Sequence, residues 1–195
     1  MGNETAQKIL EAARARLLAD GYAALSTRSV AEAANVPLSQ IHYHFGSKEE
    51  LILRLLRAEN DRVLGRQTAM FARNLPLWKR WDLACDYFDE DMASGYVRVL
   101  NEMTAAGWSS EPVRKEVKEI YLEWADLLRQ VAEEAKTRGV SLGNFEPADV
   151  SALVSAWFIG AEALMLLDME SDQAPYRRAL RKVGDLIRTA EEAAA

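Results

Sequence analysis

The 195-residue sequence predicts an all-α protein, with an N-terminal three-helix module containing a helix-turn-helix and a larger helical bundle after it. Three observations predict this class. Apolar residues recur at helical spacing along nearly the whole chain, and strand-like alternation is persuasive nowhere. Glycine, proline and asparagine cut the chain into helix-sized pieces. The first fifty residues hold three helical segments, the second and third joined by a tight turn.

The first helix is expected from Thr5 to Asp20, with Ile9, Ala13 and Leu17 on one face and Gly21 as its stop. Ser26 or Thr27 can cap a short second helix, "RSVAEAA", which ends at Asn35, a residue suited to a left-handed turn. "VPLSQIHYHF" forms the third, closed by Gly46, and Ser47 to Glu50, "SKEE", reads as a capping box. That box opens a long helix through Leu51, Leu55, Val63 and Met70. Further helices are expected over 76–94, 96–106, 112–138, 147–169 and 174–192, separated by Pro76, Gly95, Gly107 with Pro112, the stretch from Gly139 to Pro147, and Pro175. The alanine-rich end, "EEAAA", is expected to fray. Residues 1–48 are expected to form one domain and 49–195 a second.

Composition narrows the function classes. A 49% apolar and 28% charged chain suits a globular protein. Cys85 is the single cysteine, so no internal disulfide can form, and a reducing compartment is expected. The opening residues lack the pattern of a signal peptide. The most apolar segment, "SALVSAWFIGAEALMLL", is interrupted by Glu162 and falls short of a bilayer span. Together these predict a cytoplasmic protein with no membrane partner. Net charge is −6 overall; residues 1–48 carry five Lys/Arg and four Asp/Glu, hence +1, which leaves −7 for the remainder. That balance neither demands nor excludes nucleic acid, since a few cations on one small module can suffice. No paired acid–base set, metal-ligand spacing or phosphate loop argues for an enzyme, and no cofactor is expected; a helical-bundle enzyme or small-molecule-binding protein using the aromatic cluster is the alternative reading.

Both histidines, His42 and His44, lie in the third helix. Two residues apart, they point about 200° from each other on a helix and cannot share a metal ion. No nucleophile and orienting carboxylate are spaced to make either one catalytic. They can be ordinary helix-surface residues. They can also meet an anion: Lys48 stands in the first turn of the next helix, where free amides attract negative charge, with Tyr43 and His44 as further donors. A nucleic-acid phosphate fits that set. Along one side of the third helix, Gln40 could pair with an adenine edge, Ser39 with either base type and Leu38 with a thymine methyl, with His42 beside them. Thr27 and Arg28, at the start of the second helix, stand where a phosphate would lie as that helix crosses the duplex.

Residues 5–52, through "ILEAA", "GY", "ST-x-x-VAEAANV" and "HYHF-x-SKEEL", resemble the DNA-binding region of the TetR (tetracycline repressor) family of bacterial transcription regulators. The resemblance covers about a quarter of the chain. It implies that Thr27 and Arg28 contact phosphate or a base edge. It also implies that Leu38, Ser39 and Gln40 read bases, and that Tyr43, His44 and Lys48 grip the backbone. His42 stands where tyrosine is commoner, Pro37 where a capping serine is frequent, and Asn35 where glycine is frequent. The implied protein is a homodimeric repressor that leaves a near-palindromic operator when a small lipophilic effector binds its larger domain.

In that larger domain the aromatic residues can build a core, or line an effector cavity of the kind the resemblance implies. Trp81, Cys85 and Phe88 share one helix face, Met103 follows, and Tyr121, Trp124 and Leu128 share a face of the long helix. Glu102, Glu123 and Glu162 each sit within apolar runs and are expected either to pair with an arginine, to stand exposed on a narrow polar stripe, or to meet a cationic ligand, with Glu162 the best placed for the last. The last helix has an apolar stripe, Tyr176, Leu180, Val183 and Ile187, flanked by Arg177, Arg178, Arg181, Lys182 and Arg188. The preceding segment is acidic, through Glu146, Asp149, Glu162, Asp168, Glu170 and Asp172. Such a seam suits a dimer made by the last two helices, with Ala156 and Gly160 allowing close approach; it could also close the monomer's own bundle.

Overall fold

The computed structural model describes residues 2–167 and 175–194. Asp168, Glu170 and Asp172, the expected ends of the helices over 147–169 and 174–192, and the last residue of the tail lie outside them. Among the described residues there are nine helices and no strand. They are α1 (Gly2–Ala24), α2 (Thr27–Ala34), α3 (Leu38–Phe45), α4 (Lys48–Phe71), α5 (Leu77–Ser94), α6 (Tyr96–Gly107), α7 (Glu111–Thr137), α8 (Pro147–Leu166) and α9 (Pro175–Glu192). The chain divides into two compact units: Met1–Arg62 with Gly95–Ile120, and Val63–Ser94 with Tyr121–Ala195. Helices α4 and α7 therefore contribute residues to both.

The first unit is built on the stripe expected of α1. Ile9, Ala13 and Leu17 are buried, together with Val30, Ile41, Leu51, Ile52, Leu56, Met103 and Ile120. Burying each large aliphatic side chain contributes about 1.5–3 kcal/mol. Helical bonding in α1 continues past Asp20 to Ala24, but across a break at Gly21, whose φ of 76° and ψ of 168° a side chain would resist. Deeper in this unit Asn60, fully buried, accepts a hydrogen bond from the Tyr96 hydroxyl at 2.9 Å. Arg57 ties α4 to α7 through Glu116 at 2.5 Å and Glu119 at 3.5 Å.

The second unit has two apolar clusters. One gathers Met70, Phe71, Leu77, Ala84, Leu127, Ala135 and Val140, with Trp124 and Tyr87 at its edge. The other gathers Trp81, Cys85, Phe88, Ala161, Met165 and Leu180. Helix α9 packs along α5. Glu191 accepts from the Leu77 and Trp78 amides at 2.8 and 3.0 Å, so a carboxylate from α9 satisfies the free N-terminus of α5. The Trp81 indole donates to the Leu180 carbonyl at 2.9 Å.

Within the chain the α9 stripe takes the second of its two expected roles, closing the chain's own bundle. Tyr176, Leu180, Val183 and Ile187 pack against the Trp81 cluster of their own chain, and Arg177 and Arg181 pair with Asp89 and Asp86 of α5. Large apolar side chains left exposed in this unit include Leu122 of α7, Phe145, Leu153 and Leu166 of α8, Leu167 just beyond it, and Leu186 of α9.

Arg80 is 2% exposed; it donates to the Phe71 carbonyl at 2.5 Å and to both oxygens of Glu134 at 3.0 and 3.1 Å. The hydrogen bond from Arg80 holds the Glu134 carboxyl below the usual carboxylate range, against a smaller opposing effect of burial. A depressed folded-state value means that the pair's contribution is present above the unfolded carboxylate value and is lost as pH falls through the folded one. Urea midpoints of the wild type and Glu134→Gln are therefore expected to differ near neutrality and to converge as pH falls through the carboxylate range. Curves that stay parallel would show that the charge on Glu134 contributes nothing.

Candidate nucleic-acid interface

The turn between α2 and α3 follows from local chemistry. Ser26 caps α2 reciprocally with Ser29: the Ser29 amide donates to Ser26 Oγ at 3.1 Å, and the Ser26 amide to Ser29 Oγ at 3.2 Å. Of the two candidate caps Ser26 takes the role, which leaves Thr27 as the first helical residue. Asn35 ends α2 in the left-handed region, with φ 52° and ψ 48°. Pro37 precedes the first turn of α3; its carbonyl accepts from the Gln40 amide at 2.9 Å, and its missing N–H is not needed there. Gly46 closes α3 at φ 73°, and the Ser47 hydroxyl accepts from the Glu50 amide at 3.1 Å at the start of α4.

Burial aims the outer face. Val30, Ala31, Ile41 and Phe45 are turned into the core. Helical geometry then turns Arg28, Leu38, Ser39, His42 and Tyr43 out to solvent, with Thr27, Gln40 and His44 half-buried beside them. Tyr43 is 80% exposed, a high value for a large aromatic side chain. Its ring meets that of His44 edge-on at 4.9 Å. An open concavity between α2 and α3 is lined by Arg28, Glu32, Asn35, Pro37 and Leu38. His42 Nδ1 lies 2.9 Å from the Gly46 carbonyl, an acceptor only, so that nitrogen carries the proton. His42 Nε2 is then the atom left for an outside partner.

Lys48 occupies a position that the local sequence did not foretell. Its ammonium donates to the Tyr22 carbonyl at 2.6 Å and lies 4.4 Å above the Tyr22 ring centroid. Burial lowers its pKa, and burial followed by the nearby Glu49 charge raises that of Tyr22. An ammonium has three donors, so two remain for an anion. The partner is 26 residues away, beyond the range of any spacing rule.

Residues 9–55 match the family model described as bacterial regulatory proteins, tetR family. The N-terminal module belongs to the TetR family. The solved structures agree in fold over nearly the full length. A TetR-family transcriptional regulator from Agrobacterium tumefaciens superposes with a TM-score of 0.77 at 19% identity, over 97% of this chain and 98% of that one. FadR from Bacillus subtilis, in complex with stearoyl-CoA, gives 0.73 at 14% identity over 91% and 96%. SmeT in complex with triclosan gives 0.76 at 15% identity over 93% and 90%. No curated protein matches the sequence.

Outside the TetR module, the structure brings together only part of the expected effector set. Trp81, Cys85 and Phe88 share one cluster, and Glu162 is half-buried on α8. Trp124 belongs to the other cluster of the second unit, with Tyr121 and Leu128 half-buried on the same helix. Met103 is fully buried in the first unit. Phe158 is the residue that the spacing argument missed: its ring meets those of Phe88 at 5.3 Å, Trp157 at 5.4 Å and Trp81 at 6.2 Å. It sits in the most apolar helix, where no periodicity marks an inner face. Glu102 has an arginine partner, Arg98, at 2.9 Å.

Cys85 is 2% exposed, and burial pushes its thiol pKa up to about 12, with the charge of Arg181 opposing and Asp82, Asp86 and Asp89 assisting. At neutral pH it is a thiol and not a thiolate nucleophile. The native protein is expected to react with a disulfide reagent at least about a hundredfold more slowly than after unfolding in urea. Equal rates would place Cys85 in an accessible site.

Proposed function

We propose that this chain is a dimeric, ligand-responsive DNA-binding regulator, in which α3 enters the major groove and the second unit receives a small lipophilic effector that releases an operator. One observation carries the reading. Burial of Ile41 and Phe45 turns Leu38, Ser39, His42 and Tyr43 outward from a module that matches the TetR family. Residues 1–48 would then hold the DNA-reading function and 49–195 effector binding and dimerisation. Leu38, Ser39, Gln40 and His42 address base edges. Thr27, Arg28, Tyr43, His44 and Lys48 address phosphates. The stearoyl-CoA and triclosan bound to the structurally similar FadR and SmeT support an effector with a large apolar body. Trp81, Phe88 and Phe158, with Cys85 and Glu162 nearby, are the residues that would meet it. A protein with this task works in the cytoplasm, where its operator is.

The dimer reading rests on α8. Its most apolar stretch has a mean hydropathy of 1.5, yet only 17% of it is buried within the chain. Val154, Trp157, Phe158, Ala161 and Met165 face inward, while Leu153, Ala156, Gly160 and Leu167 are exposed. A second copy presenting the same face would cover this stripe, and its small residues let two helices approach closely. A Cβ added at Gly160 would meet nothing within 4 Å in the chain itself, so Gly160→Glu is chosen to perturb the outward face while leaving room for its first carbon. Sedimentation is expected to show a dimer for the wild type and a monomer for Gly160→Glu; a dimer in both would move the interface elsewhere.

Selection against a random duplex library tests DNA reading directly, with an inverted repeat as the expected product. Lys48→Ala is expected to weaken binding to every duplex and to lower the salt slope by about one, while Gln40→Ala relaxes preference at one position of each half-site. No enrichment by a folded, dimeric protein would sink the DNA-reading proposal.

A further inference from the structure

We infer that Glu102 and Arg98 of α6 are positioning residues for DNA binding, acting through the Tyr22 peptide on Lys48. The break at Gly21 leaves backbone groups of α1 without their ordinary helical partners, and α6 supplies substitutes. Arg98 Nη1 donates to the Leu18 carbonyl at 3.0 Å, and the Tyr22 amide donates to Glu102 Oε2 at 2.6 Å. The other oxygen of Glu102 accepts from Arg98 Nε at 2.9 Å, so the two α6 side chains hold each other in place. On the far side of the same residue, the Tyr22 carbonyl accepts from Lys48 Nζ at 2.6 Å.

Residue 22 is thus gripped through its amide by a carboxylate of α6 and through its carbonyl by the ammonium that opens α4. Hydrogen bonds to charged groups are roughly twice as strong as neutral ones. Every one of these groups lies in the first compact unit. Without Glu102 the Tyr22 amide loses its partner, the break at Gly21 is free to relax, and the carbonyl that orients Lys48 moves with it. A long lysine side chain released in this way regains rotamer freedom, and binding an anion then requires ordering it again. Residues of α6 would in this way set the affinity of Lys48 for phosphate.

The inference rests on the proposed phosphate role of Lys48, and a double-mutant cycle in the full-length protein separates the two. Binding to a labelled random-sequence duplex is measured at several salt concentrations for wild type, Lys48→Ala, Glu102→Ala and the double variant. Lys48→Ala and Glu102→Ala are each expected to weaken binding about tenfold, and the double variant by no more than about twofold beyond either one. Glu102→Gln, which keeps an acceptor for the Tyr22 amide, is expected to bind within about twofold of wild type. Amide exchange at Tyr22 should quicken in Glu102→Ala. Losses that multiply in the double variant would overturn the inference and leave the Lys48 contact standing. Unchanged affinity and salt slope in Lys48→Ala would overturn the phosphate role and the inference with it. If Glu102→Ala does not fold, Arg98→Met takes its place in the same cycle: losses that fail to add with Lys48→Ala support the inference, and losses that multiply overturn it.

Discussion

A helix that breaks before its end must find partners for the backbone groups it exposes, and in the first unit that requirement organises everything around α1. The break at Gly21 frees groups on Leu18 and Tyr22 that helical bonding would otherwise satisfy. These groups are partly buried, and side chains within reach take the place of the lost helical partners. Arg98 and Glu102 come from α6 and Lys48 from α4. The glycine therefore does more than end a helix. It creates the polar site at which α1, α4 and α6 are joined, beside an otherwise apolar core of Ile9, Leu17, Ile41 and Met103.

The second unit solves a related problem with ion pairs. Its helices are rich in charge, and the pairs that matter are those with a buried member. Arg80 is enclosed and bound on two sides, while Arg66 spans Tyr87, Glu90 and Asp91 from α4 to α5. Exposed pairs such as Arg129 with Asp126 and Glu133 add little, because solvent screens them. Part of the negative charge of this unit is thus engaged internally: Asp86 and Asp89 hold Arg177 and Arg181 of α9. Packing of α9 onto α5 leaves α8 to carry the outward apolar stripe.

What could be read from the sequence was what local chemistry decides. Asn35, Gly46 and Ser26 act on their immediate neighbours, so the boundaries of α2 and α3 were legible to within a residue or two, as were those of most later helices. Helix α1, by contrast, runs beyond both of its expected ends, and α8 stops at Leu166, short of the expected 169. Which face of a helix turns inward was legible only where one face is apolar. In α3 the buried Ile41 and Phe45 leave no choice. In α9 the stripe through Leu180 was plain but its partner was not, because periodicity cannot tell a neighbour in the same chain from one in a second copy. In α8, apolar on more than one side, even the inner face was hidden, and with it the central position of Phe158. The partners of Lys48 and Glu102 lie 26 and 80 residues away; only the packing of α1, α4 and α6 brings them together.

These magnitudes bear on how such a module can be regulated. A hundredfold change in operator affinity corresponds to about 2.7 kcal/mol. One charge-assisted hydrogen bond contributes about 1.5–3 kcal/mol net, so the bonds around residue 22 span the whole range that regulation needs. A displacement that lengthens one or two of them suffices, and no helix need unfold. In the proposed dimer the effect would be sharper, since both recognition helices would have to meet their half-sites at once and a small tilt in each would be felt twice. The same arithmetic explains why the grip on Tyr22 can be polar and half-exposed instead of being sealed in the core. In the regulator proposed above, a contact worth several times more would hold α1 against an effector, whereas one of this size could be made and released within the free energy of ordinary ligand binding.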